Sequence, residues 1–248
     1  MEVLRSMLLA VPHGFSTRGG GVSPPPFDSL NMGTGRGDDP VLVAENRRRF
    51  LAQVFGPGEH RLALLKQAHS ARAVVAKAGE RLQADALVTN EPELILAVTV
   101  ADCFPIILHD PDRPLLATAH AGWRGTLSGI VEATLTLMCQ QFGADPARLQ
   151  VAIGPGIGAC CYEVGPEVAE AFQAAGKADG ALHPGRGDRF LLDLAAIHHR
   201  VLEESGVSPA QVDQLPYCTS CRADWFFSHR RDQGRTGHMW AVAALPGG

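Results

Sequence analysis

Residues 94–119 read LILAVTVADCFPIILHDPDRPLLATA, and three β-like runs follow one another within them: Leu94–Val100, Pro105–Leu108 and Leu115–Ala119. The first is a continuous apolar run, as expected of a buried strand. No helical pattern separates the three. Upstream, Leu8–Ser16, Leu62–Leu65 and Ala73–Ala76 also read as strands, and downstream Val151-Ala152-Ile153 and Met239–Leu245 do. A helix is predicted after Asp38-Asp39-Pro40, with Asp as its cap and Val43, Phe50, Leu51 and Val54 on its apolar face. The spacing of Leu127, Ile130, Val131, Thr134, Leu135 and Met138 predicts one amphipathic helix starting near Thr126. Two more are predicted, over Pro166–Ala174 and Asp193–Glu204. Strands cluster rather than alternating with helices. The fold class is therefore α+β, with mixed β-sheets flanked by helices, rather than a doubly wound sheet.

The chain has 248 residues, enough for about 1.7 domains at about 150 residues each. No repeat or low-complexity linker divides it, and one domain over residues 1–248 is expected. With 22 Lys+Arg against 26 Asp+Glu, the net charge of −4 argues against a general binder of nucleic acid or anionic membranes. The N-terminal apolar stretch is too short for a signal-peptide core and is closed by Pro12. A cytoplasmic protein with reduced thiols is the expectation. Its 10 His and 6 Cys are raw material for a metal or thiol site.

Several segments could carry chemistry. Asp102-Cys103 follows the end of the buried strand, where sites are often placed, but the two side chains share one pocket only if the backbone turns there. A free Cys is also commonly just a small buried hydrophobe. His120-Ala121-Gly122-Trp123-Arg124-Gly125 joins a strand to the predicted helix and suits an anion, through helix N–H groups and Arg124. His69, in Gln67-Ala68-His69-Ser70, reads alone as a solvated turn residue. Cys218-Thr219-Ser220-Cys221 is a single CxxC without a second pair, so two ordinary thiols outweigh a zinc or redox site. Neighbours Cys160 and Cys161 read as buried, Cys139 as structural and His198 as a core histidine. Residues 17–37 form a Gly- and Pro-rich loop long enough to be functional, with Arg18 inside it. Arg47-Arg48-Arg49 reads as a solvated helix face. Phe226–Asp232 (FFSHRRD) offers either a wall for a purine base or an edge that only packs.

Together these segments resemble one family, known as multicopper polyphenol oxidase (laccase-domain), peptidoglycan editing factor and purine nucleoside phosphorylase. The resemblance is carried by His13–Gly20, Ser29–Gly33, Gly37-Asp38-Asp39, Glu45-Asn46-Arg47, Gln67–Ser70, Ala84-Asp85-Ala86, Ala101-Asp102-Cys103, His120–Gly125, Gly154–Gly165 and Phe226–Gly237. The chain departs from the family at His238, where Arg is common, and at Thr34-Gly35-Arg36, where a His-containing triplet often sits.

The resemblance implies a metal on His69, Cys103 and His120, zinc or alternatively copper, with an open position for water. It implies phosphorolysis of adenosine, inosine and methylthioadenosine, together with adenosine deamination. Cys103, His120, Asp102 and Arg124 are expected to be catalytic, with Asp102 moving protons. Arg18, Asn31 and Arg124 are expected to bind substrate or phosphate. The family's fold is thought to resemble that of toxin deamidases with a Cys–His pair, so a Cys–His amidase acting on peptidoglycan precursors is the alternative. A laccase with several coppers draws on HxH motifs, and the chain contains none. Copper oxidation of polyphenols would then come from a mononuclear site.

Overall fold

The structure, a computed structural model, describes residues 1–35 and 37–247. Leu94–Val100 is central to the first of two six-stranded sheets, whose strand order is Val3–Leu4, His13–Ser16, Met239–Ala243, Leu94–Val100, Arg61–Leu65, Arg81–Leu82. It runs antiparallel to Met239–Ala243 and parallel to Arg61–Leu65. The second sheet has the order Val212–Gln214, Gln150–Ile153, Phe104–Asp110, Leu115–Ala121, Ala86–Thr89, Ala73–Val75. Both sheets are mixed. A small antiparallel sheet is formed by Glu163–Val164, Phe190–Leu192 and Leu182–Pro184.

The alternation of side chains along each strand builds four layers. Leu94, Leu96 and Val98 of the first sheet pack against Leu87, Ile107 and Leu116 of the second. On the outer side of the first sheet, Ile95, Ala97, Trp240 and Val242 pack under Phe50 and Leu51 of the helix Pro40–Phe55. On the outer side of the second, Ile106, Leu108, Ala117 and Ala119 meet Val131, Leu135 and Met138, with Ile197 and Val201 of the helix Leu194–Glu204 beside them. Leu94–Val100 is apolar on both faces because one face meets a sheet and the other a helix.

Three sequence expectations are corrected. Of Leu8–Ser16 only His13–Ser16 joins the sheet, since Pro12 has no N–H to donate. The last strand ends at Ala243. The helix expected from Thr126 is two, Trp123–Ser128 and Ile130–Phe142, separated by Gly129 at φ 89°. Gly129 sits in the left-handed region and its N–H closes the first helix on Gly125 and Thr126 carbonyls. The apolar periodicity runs through the break, which is why the sequence hides it. Among the described residues no helix is long and apolar enough to cross a membrane.

Candidate active site

Phe104–Asp110 and Leu115–Ala121 form a hairpin that pairs Phe104 with Ala121 and Pro105 with His120. Cys103, one residue before the hairpin, thus lies across from Gly122. Asp102 has φ 83°, a conformation uncommon outside glycine, and this turn puts Asp102 and Cys103 on one cavity. His69 follows the strand Arg61–Leu65, at φ 57°. Both strained residues border the same space, as strain at functional sites does.

Asp85 holds the two histidines. Its carboxylate accepts from the backbone N–H groups of Ala68, His69 and Ser70, from the Ser70 hydroxyl at 2.7 Å, and from His120 Nδ1 at 2.9 Å. Burial would raise its pKa, but these donors hold it below the usual carboxylate range. With Nδ1 engaged, His120 turns Nε2 toward Cys103. The ligand atoms of His69, Cys103 and His120 all lie within 4.8 Å of one another. Burial alone would raise the Cys103 thiol, but the charge and hydrogen bonds of His120 and His69 bring it down to about 6. Burial would lower His120, and the Cys103 and Asp85 charges instead lift it to about 9. Gly122 leaves the room this cluster needs: a Cβ there would stand 2.7 Å from Cys103 Sγ and 3.3 Å from the His69 ring.

The cavity measures about 600 Å³. Among the described residues four arginines line it, Arg47, Arg81, Arg124 and Arg230, together with His229, His238, Tyr162 and Trp123. Arg47 donates twice to the Met32 carbonyl and stacks on Trp240. Burial and the Arg81 charge lower Arg47 to about 10. Arg124 stacks on Trp123 and donates no hydrogen bond to another described residue. Gln67 ties the His69 loop to the first sheet, accepting from Thr99 N–H and donating to its carbonyl. Asp102 accepts from the Thr219 hydroxyl and the Arg230 N–H, each at 2.7 Å.

His69, Asp102, Cys103, His120 and Arg124 therefore meet in one cavity. Arg18 and Asn31 are not among its lining residues, against expectation. Arg18 is taken by Asp28 and the Ala223 carbonyl and stacks on Phe227. Asn31 is fully buried and spends its amide on Gly33, Asp38 and the His238 N–H. It shapes the cavity wall through Gly33 and His238, which do line it. Thr34, in the departing triplet, also lines it, while Arg36 lies outside the described residues. Phe226 and Phe227 are core, and only His229 and Arg230 of that segment reach the cavity.

The solvated face expected for Arg47-Arg48-Arg49 holds for Arg48 and Arg49 only; Arg47 stands four residues after Val43 and three before Phe50, on the buried helix face. Asp85, an acid set between alanines, was another signal, since a buried carboxylate needs partners. The cysteines are corrected too. Cys160, Cys161, Cys218 and Cys221 bring their sulfurs within 4.8 Å of one another, and this cluster could bind a metal. Cys160 and Cys161 lie in a tight turn, with Cys161 and Tyr162 N–H both bonded to the Gly158 carbonyl, so neighbouring side chains need not point to opposite sides.

Residues 12–246 match the family described as multi-copper polyphenol oxidoreductase laccase. The chain belongs to this family. One relative, the purine nucleoside phosphorylase of Deinococcus radiodurans, is 45% identical over 99% of this chain and 94% of its own. The purine nucleoside phosphorylase YlmD of Bacillus subtilis is 34% identical over 94% of this chain and 87% of its own. The crystal structure of YlmD from Geobacillus stearothermophilus superposes with a TM-score of 0.93 at 33% identity, covering 100% of this chain and 97% of that one. The α+β architecture, with three sheets and five α-helices among the described residues, is thus shared with a solved member of the family.

Proposed function

We propose that the chain is a metal-dependent purine nucleoside phosphorylase that also deaminates adenosine to inosine, with residues 1–248 acting as one domain. One observation carries this: His69, Cys103 and His120 converge inside a cavity lined, among the described residues, by four arginines. Two imidazoles and a thiolate fit zinc, with copper as the alternative, and leave a fourth position open. The Asp85–His120 hydrogen bond is the support that metal-binding histidines characteristically have. When bound, zinc supplies Lewis-acid activation of water suited to attack on the amino-bearing carbon of adenine.

Phosphorolysis makes a bond from a phosphate oxygen to the anomeric carbon and breaks the bond from that carbon to the purine nitrogen. The base leaves carrying the electron pair and takes up a proton. Arg124, which donates no hydrogen bond to another described residue, is placed to hold the phosphate, and Arg81 and Arg47 add positive charge. Asp102 moves the proton: each of its oxygens accepts one protein hydrogen bond and keeps a second lone pair for substrate. Adenosine, inosine and methylthioadenosine are the substrates this reading names. Products from adenosine with and without phosphate test it, using wild type and Cys103→Ala. Adenine with ribose 1-phosphate, plus inosine, is expected from the wild type only. Absence of all three would overturn it.

A second reading rests on the same cluster. Cys103, His120 and Asp85 also form a thiolate–imidazolium–carboxylate series, as in a Cys–His amidase of the toxin-deamidase type. Stoichiometric metal on Cys103 would exclude it, because the sulfur lone pair needed for attack would be engaged.

A further inference from the structure

We propose that Cys160, Cys161, Cys218 and Cys221 hold a structural zinc ion as a closed tetrathiolate, independent of the site on His69, Cys103 and His120. Cys221 Sγ lies 3.5 Å from Cys160 Sγ and 3.4 Å from Cys161 Sγ, and all four sulfurs fall within 4.8 Å. A tetrahedral ion with Zn–S bonds of about 2.3 Å spaces its sulfurs about 3.8 Å apart, inside that range. Disulfides would single out pairs, whereas here Cys221 is nearly equidistant from two partners. A cluster of several irons would spread the sulfurs further than a single ion does.

The hydrogen bonding points the same way. Cys218 Sγ accepts from Gly158 N–H at 3.3 Å. An N–H donor suits a sulfur in a tetrathiolate, whose four negative charges exceed the two positive charges of the ion. Binding displaces one proton from each thiol to solvent and changes no oxidation state. All four ligands come from the protein, so no position stays open for substrate and the role is structural.

The ion would clamp two loops that support the cavity. Gly156 and Cys218 already form a bridge, and Thr219 N–H donates to the Gly156 carbonyl at 3.0 Å. Thr219 in turn holds Asp102, and Tyr162, next to Cys161, lines the cavity.

The test uses the full chain carrying His69→Ala and Cys103→Ala, which removes the other site. After zinc loading and exhaustive dialysis, one equivalent of zinc per chain is expected. Cobalt in its place should give the intense sulfur-to-metal charge-transfer bands of tetrathiolate coordination. Adding Cys160→Ser and Cys221→Ser should abolish both signals. If those added substitutions prevent folding, the zinc content and cobalt spectrum of the parent variant still decide. A parent without zinc, an iron-coloured protein, or a mass deficit showing disulfides among these cysteines would overturn the proposal. Loss of zinc from wild type on Cys103→Ala alone reports on the other site, so the two failures are distinguishable.

Discussion

At the scale of single residues, the site depends on groups that touch no substrate. Asp85 fixes both histidines, so Asp85→Ala should weaken zinc retention at His69, Cys103 and His120 by roughly 10–100-fold, measured by competition with a chelator in a Cys218→Ser, Cys221→Ser background. Unchanged retention would mean that Asp85 only packs. Arg124 makes the opposite kind of prediction. Arg124→Ala should lower kcat/KM for phosphate by roughly 10²-fold while leaving phosphate-independent deamination within a few-fold, read from steady-state kinetics with each co-substrate. Equal losses in both reactions would assign Arg124 to the nucleoside instead. The family resemblance, rather than local pattern, points to the cluster residues, since His69 alone reads as a solvated turn residue and Cys103 as a small buried hydrophobe. The sequence leaves Arg18 looking free because the partner of a cation in a glycine loop is not a local signal, and the structure pairs it with Asp28.

At the scale of elements, the break at Gly129 shows what periodicity can miss. Leu127 to Met138 keeps helical spacing, yet one residue at φ 89° re-aims the first turn, and that turn carries Arg124. A Cβ at Gly129 meets nothing closer than 3.5 Å, so the cost of Gly129→Ala is that of the left-handed backbone alone. Unfolding stability should fall by roughly 1–2 kcal/mol in urea titrations. An unchanged midpoint would show that the break is not required by the fold. The strand Leu94–Val100 and the helix Pro166–Ala174 were legible to the residue, because burial and a proline-led first turn are local signals.

At the scale of the molecule, four layers bury His198, His13 and His109 as neutral imidazoles. His198 lies fully buried between helix and sheet with Nε2 against the Thr126 hydroxyl, and burial, then the His199 and Lys177 charges, lower it to about 3. Burial also lowers His13 and His109. The unfolded chain binds these protons near pH 6.5, the folded chain only at lower pH. The contribution of these histidines to stability is therefore full above about pH 6.5 and falls as pH drops toward 3, by at most about 1.4 kcal/mol per pH unit from His198. Urea unfolding between about pH 7 and about pH 5 should show a smaller pH slope in His198→Gln than in wild type, and equal slopes would contradict it. The α+β class was readable from strand clustering. The packing of one sheet on the other was not, since it depends on which faces meet across long separations in sequence. That packing brings His69, Cys103 and His120 together from separate strand ends beneath a wall of arginines. Phosphorus NMR of the wild-type protein with adenosine and inorganic phosphate tests the proposed chemistry most directly. The phosphate signal should decline as a ribose 1-phosphate signal grows in step with free adenine. An unchanged phosphate signal while adenosine is consumed would contradict phosphorolysis.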